Sequence, residues 1–248
     1  MSTDAAAALY PAGRLTAVAG AVRAAGLSAL LLTPGPDLRY VTGYDAKQLE
    51  RLTCLAIPAA GDPFLLVPRL ELAAAQASPA SGLGVEIVPW AETQDPFGIV
   101  KDRLGTLTSV GLSDRMWALH VLRFRAAFPA AAQELASTIL SPLRVRKTPA
   151  EVSALAAAGA AIDRVHARVP QWLRPGRTER EVGATIAEAI LAEGHAQVDF
   201  VIVGSGPNAA SPHHEVCDRV LSRGDVVVVD IGGTMPSGYC SDCTRTYA

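Results

Sequence analysis

Between Leu140 and Thr148 the hydrophobic pattern of the chain breaks into the polar, basic stretch Ser141-Pro142-Leu143-Arg144-Val145-Arg146-Lys147, and the two sides of that break follow different periods. Before it, short apolar runs bounded by turn residues recur at 29–32, 53–57, 64–67, 84–88 and 109–112. Helical stretches lie between or after them, near 70–76, 97–104 and 130–135. An opening helix over 11–25 carries Leu15, Val18, Ala19 and Val22 on one face, with Gly26 as its stop. Strands alternating with helices predict an α/β domain with a parallel or mixed sheet.

After the break, Thr148-Pro149-Ala150-Glu151 reads as a capping box with Pro at the first helical position, where its missing N–H costs nothing. Val152, Leu155, Ile162, Val165 and Val169 then form one apolar stripe, ended by Pro170. A second box, Thr178-Glu179-Arg180-Glu181, opens a helix through Glu193 that Gly194 closes. The period then becomes that of strands, at 200–203, 225–231 and 239–247. We therefore expect two domains, 1–142 and 143–248.

A chain of 248 residues with 50% apolar and 19% charged residues can bury a core in each domain, which excludes disordered and fibrous classes. Its formal charge of −2 and lack of like-charge runs give no electrostatic footing for nucleic acid or anionic lipid. No apolar run approaches the ~20 residues of a membrane span, and Asp4 stands where a signal peptide needs a basic residue. We expect a cytoplasmic protein with Cys54, Cys217, Cys240 and Cys243 reduced.

The second strand pair carries the most chemistry. Asp230 sits in the apolar run Val226-Val227-Val228-Val229-Asp230-Ile231, where a carboxylate needs a cation or donors. A turn centred on Pro236 would set Asp230 directly opposite Asp242, with Cβ atoms about 4.5–5.5 Å apart. Two carboxylates so placed share a proton or hold metal; the bland alternative is one turn residue and one solvated side chain. His213-His214 lies in a Gly/Pro/Asn loop from which a ring could reach the site, or merely face solvent. Gly204-Ser205-Gly206 matches neither dinucleotide nor P-loop spacing. Cys240 and Cys243, three apart in a strand, point to opposite faces and do not read as a zinc pair. His120, His166 and His195 stand alone and read as structural or exposed.

Four segments in order carry a resemblance: Arg174-Pro175-Gly176-Arg177-Thr178-Glu179; Val203-Gly204-Ser205-Gly206 through Asn208 to His213; Gly224-Asp225 through Asp230-Ile231-Gly232; and Ser241-Asp242-Cys243-Thr244-Arg245-Thr246. Together they resemble the first half of the α+β "pita-bread" catalytic domain of the M24 metallopeptidases, the Xaa-Pro dipeptidases and aminopeptidases P. The earlier residues, including Tyr40-Val41-Thr42-Gly43-Tyr44, resemble the α/β creatinase-like N-terminal domain of the same family.

The resemblance implies that Asp230 chelates one divalent ion, that Asp242 bridges two, and that His213 donates to the scissile-bond region. Thr244 and Arg245 would orient the aspartates. Mn²⁺ is the first expectation for such an oxygen-rich site, with Co²⁺, Fe²⁺ or Zn²⁺ admissible. The implied partner is a short peptide with Pro at P1′, and the implied assembly is a homodimer. The family's later His and Glu ligands have no counterpart after Tyr247, so we expect these 248 residues to hold at most one ion, weakly, and to be inactive alone. The competing expectation is a non-catalytic binding or regulatory protein on the same fold.

Overall fold

The computed structural model describes residues 8–248; Asp4 lies outside them. The chain divides between Arg146 and Lys147 into two compact units. The first contains α1 (Ala12–Ala24), β1 (Ala29–Leu32), α2 (Pro36–Thr42), β2 (Cys54–Pro58), β3 (Phe64–Pro68), α3 (Leu72–Ala77), β4 (Glu86–Trp90), α4 (Pro96–Leu104), β5 (Ser109–Leu112), α5 (Ala118–Ala127), β6 (Ala132–Leu135) and α6 (Ser137–Val145). Its sheet is mixed, in the order β4-β3-β2-β1-β5-β6, with β1–β2 and β2–β3 antiparallel and the remaining pairs parallel.

The unbroken apolar runs follow from burial on both faces, because side chains alternate along a strand. Leu30, Leu32, Leu55, Ile57, Leu65 and Val67 pack with α1, α2 and α6 through Val18, Leu38 and Leu140. Ala29, Leu31, Cys54, Ala56 and Leu66 pack on the other side with Phe97, Val100 and Phe124 of α4 and α5.

Two expectations in this unit are corrected. Residues 130–135 are not helical: 132–135 form edge strand β6, parallel to β5 from Ala132↔Ser109 to Leu135↔Leu112. Pairing with β5 overrides the helical preference of Ala, Gln, Glu and Leu. The polar stretch from Ser141, where the domain boundary was expected, is helical. It continues α6 through Val145 with Pro142 inside the helix, held by buried Ile139 and Leu140. The division therefore falls four residues later than the expected 142/143.

The second unit contains α7 (Pro149–Trp172), α8 (Glu179–Ala192), β7 (Gln197–Ser205), β8 (Val227–Thr234) and β9 (Cys240–Tyr247). Both capping boxes form: Glu151 N–H donates to Thr148 Oγ1 at 3.3 Å, and Glu181 N–H to Thr178 Oγ1 at 3.2 Å, with each Glu carboxylate returning to its cap's N–H. The stripe on α7 is shorter than expected. Val152 is 53% exposed and Leu155 37%, and apolar burial begins at Ala158, although Glu151 in the first turn is itself buried.

Helix α7 also passes Pro170 and ends at Trp172. Proline there withholds the N–H that would reach the His166 carbonyl, and the Tyr247 hydroxyl donates to that carbonyl instead, at 3.2 Å.

Strands β7-β8-β9 form an antiparallel meander. Odd-numbered residues of β8 and their partners face the helices: Val203, Val229, Ile231, Cys243 and Tyr247 join Ile162, Val165, Val182, Ile186 and Ile190 in one core. Even-numbered residues, Asp230 among them, occupy the other face.

Candidate metal centre and the loop beside it

The hairpin joining β8 to β9 turns over Met235–Tyr239, with Gly238 N–H donating to Met235 O and Met235 N–H to Tyr239 O. Gly238 takes a φ of +82° there. The turn thus centres one residue beyond Pro236, and the register shifts accordingly. Asp230 pairs with Thr244, and Asp242 with Gly232. The expectation that the two aspartates sit directly opposite is corrected: they are diagonal neighbours on one face, which typically separates cross-strand residues by about 7–8 Å.

Gly232 occupies the corner between them for a steric reason. A Cβ there would meet Phe200 Cε1 at 2.5 Å and the Ser241 carbonyl at 2.6 Å.

The two carboxylates have little else to satisfy them. Thr244 Oγ1 donates to Asp230 Oδ1 at 2.6 Å, and neither Asp230 nor Asp242 forms an ion pair among the described residues. Asp230 is half-buried and Asp242 exposed. Paired acidic oxygens on one face, one of them oriented by a hydroxyl and neither neutralised, suit a hard divalent cation. The residues present thus fit part of an ion's shell.

Arg245 lies on the opposite face, beside Val229, and pairs with Asp163 of α7 at 3.5 Å. Strand parity, which sequence adjacency concealed, separates it from the aspartates that it was expected to orient. Cys240 and Cys243 fall on opposite faces, and all four cysteines are free thiols.

His213 is exposed in the loop after β7. Its neighbour His214 is not: its side chain is 15% exposed, and its Nε2 lies 2.7 Å from Glu179 Oε2. Since a carboxylate only accepts, Nε2 carries the proton.

Glu179, fully buried at the first position of α8, is the residue that sequence reasoning missed. Its Oε1 accepts from Ser205 N–H at 2.8 Å, Ser205 Oγ at 2.7 Å and Asn208 Nδ2 at 3.1 Å. Its Oε2 accepts from His214 and from Cys217 Sγ at 3.1 Å. Burial is the largest influence on this carboxyl and pushes its pKa up, but the bonds from Ser205, His214 and Cys217 together outweigh it and hold the pKa at about 2.

Arg219 Nη1 donates to Ser205 Oγ at 2.6 Å and pairs with Asp225 at 2.8 Å, placing positive charge one hydroxyl away. Gly206, at φ +50°, leaves room for that pair, since a Cβ would lie 2.6 Å from Arg219 Nη2. The glycine loop is therefore built around an internal ion pair. The only sequence signal for Glu179 was a second acid in a first turn whose capping role Glu181 already fills.

Glu179, His214 and Cys217 are also the sole cluster of three or more potential metal-ligating groups among the described residues. Their protons already bond one another, so the cluster is complete without an ion.

Residues 14–146 match the Creatinase/Prolidase N-terminal domain model and residues 153–248 match Metallopeptidase family M24. The chain belongs to the M24 metallopeptidase family. This M24 chain is 52% identical over 238 residues to a probable dipeptidase PepE of Mycobacterium tuberculosis, covering 96% of the chain and 63% of that protein. It is 30% identical to an Xaa-Pro dipeptidase of Lactobacillus helveticus, covering 85% of the chain and 58% of the relative. The solved dipeptidase PepE of Mycobacterium ulcerans superposes with a TM-score of 0.91 at 54% identity, over 97% of this chain and 65% of that one.

The M24 chain thus spans slightly under two thirds of the length of these relatives. Its architecture is the family's: an α/β creatinase-type domain, then the helix-helix-meander part of the pita-bread domain. No helix among the described residues is long and apolar enough to cross a membrane.

Proposed function

We propose that this M24 chain carries part of the active site of a metal-dependent exopeptidase of the Xaa-Pro dipeptidase or aminopeptidase type, acting on short peptides with Pro at P1′. The observation that carries the reading is the pair Asp230 and Asp242, on one face of adjacent strands and without an ion pair among the described residues. Their oxygens would hold the ion, Mn²⁺ before Co²⁺, Fe²⁺ or Zn²⁺, with Thr244 fixing the Asp230 carboxylate. A divalent ion bound there supplies Lewis acidity and lowers the pKa of the attacking water. His213, on its exposed loop, would donate a proton or hydrogen bond at the scissile bond. The working protein is a cytoplasmic homodimer in this reading.

The test uses the full-length gene product, stripped of metal and reloaded with Mn²⁺, with an Xaa-Pro and an Xaa-Ala dipeptide as substrates. Metal-dependent cleavage of the Xaa-Pro peptide, lowered at least about 10³-fold by Asp242→Asn, is expected. Chelator-insensitive cleavage, or full activity in Asp242→Asn, would overturn the reading. In this reading the 248 residues alone bind Mn²⁺ weakly, through Asp230 and Asp242, and show no turnover.

A further inference from the structure

We propose that Glu179 is a positioning residue, and that the adjacent histidines divide their work: His214 tethers the loop so that His213 is presented. The inference rests on the reading of His213 as a substrate-contacting group. Loop 204–221 leaves β7 at Ser205 and returns alongside the start of α8. There Glu179 N–H donates to Arg219 O, Arg180 N–H to Cys217 O and Leu221 N–H to Arg177 O. Those backbone bonds fix the returning limb.

Between Ser205 and Cys217 the backbone bonds are local turns, Ser211 N–H to Asn208 O and His214 N–H to Ser211 O, besides Gly206 N–H to Val226 O, and the tie to α8 is made by side chains: Ser205, Asn208, His214 and Cys217 converge on one carboxylate. His213 contributes nothing to this convergence and makes no side-chain hydrogen bond among the described residues. Because its immediate neighbour is anchored to a fully buried anion, its backbone is fixed while its ring stays exposed.

Five donors against one ionised acceptor also make the arrangement one-way. An amide at position 179 keeps one acceptor oxygen and turns its NH₂ either toward Ser205 N–H and Asn208 NH₂, which can only donate, or toward His214 and Cys217, which would have to change tautomer or redirect a proton, so even an isosteric change opposes the loop.

The experiment combines hydrogen exchange with a double-mutant cycle in the full-length, Mn²⁺-loaded protein. In Glu179→Gln, amides of 206–217 should exchange at least about tenfold faster while those of β8 keep their protection. The kcat for an Xaa-Pro dipeptide should fall about 10–100-fold with KM within about threefold, as a displaced catalytic group predicts. His214→Ala, which removes a single donor and keeps the buried carboxylate, should reproduce a smaller version of both effects, and His214→Gln, which can still donate, should restore them. In a His213→Ala background the Glu179→Gln loss of kcat should vanish, because the two act through one group.

Unchanged exchange in the loop of both Glu179→Gln and His214→Ala overturns the tether. Faster exchange with a kcat loss that adds to that of His213→Ala overturns the positioning role. Full activity of His213→Ala itself overturns the reading of His213, while the exchange data still decide the tether.

Discussion

The second unit contains two kinds of carboxylate site, and they differ in how completely the chain satisfies them. Glu179 is fully buried, takes five donors and stands one hydroxyl from Arg219. Asp230 and Asp242 share a sheet face with one hydroxyl donor between them and no ion pair among the described residues. A satisfied buried anion belongs to the fold, whereas neighbouring anions on an open face, with one protein donor between them, are the pair that the proposed reading assigns to a cation. Function and stability should therefore separate when each is mutated.

The largest stability effect that would break this contrast is at position 179. Glu179→Ala strands five donors in a buried space and should destabilise the unit by about 3 kcal/mol or more. Asp230→Asn and Asp242→Asn should shift stability by no more than about 0.5 kcal/mol without metal, or raise it by relieving like-charge repulsion. Urea unfolding of the three variants decides the matter. A fall of similar size at Asp242 would mean that its carboxylate is structural too.

Acid should discriminate between the same sites. The Glu179 carboxyl is held at about 2 against an ordinary 4.5. Its contribution to stability is thus fully present above about pH 4.5 and drains away as pH falls toward 2. The stability gap between wild type and Glu179→Gln should be widest near neutrality and shrink steadily below pH 4.5, followed by unfolding midpoints from pH 7 to 2.5. A gap that stays constant over that range would show that the carboxylate's charge contributes nothing to the tether.

How much of this could be read from the sequence depended on how local each feature is. Both capping boxes were legible because the reciprocal bonds join residues three apart, Thr148 with Glu151 and Thr178 with Glu181. The apolar runs of the first unit gave its strands because burial on both faces leaves no polar alternation to read. The hairpin was visible, but its register was not: Gly238, rather than Pro236, sets where the turn closes, and one residue of error moved Asp230 from Asp242 to Thr244. Residues 130–135 read as a helix by composition, since nothing local announces that β5 offers an open edge. Glu179 was hidden most deeply. Its partners lie 26 to 38 residues away, and no spacing along the chain signals their convergence.

The smallest effects sharpen the comparison within strand β9 itself. Thr244 and Arg245 are consecutive, yet the pleat sends Thr244 to Asp230 and Arg245 to Asp163. Thr244→Val removes the hydroxyl that orients Asp230 and should weaken Mn²⁺ binding about tenfold in the full-length protein, the usual cost of losing a group behind a ligand. Arg245→Gln removes a surface ion pair, whose partners are both more than half exposed, and an exposed bond from Nη1 to the Thr244 carbonyl, and should change stability by less than about 0.5 kcal/mol and Mn²⁺ affinity by less than about twofold. Calorimetric titration with Mn²⁺ separates the two variants. Equal losses of affinity would place Arg245 in the ion's surroundings despite its strand parity, and the assignment of one face to the metal and the other to the core would then fail.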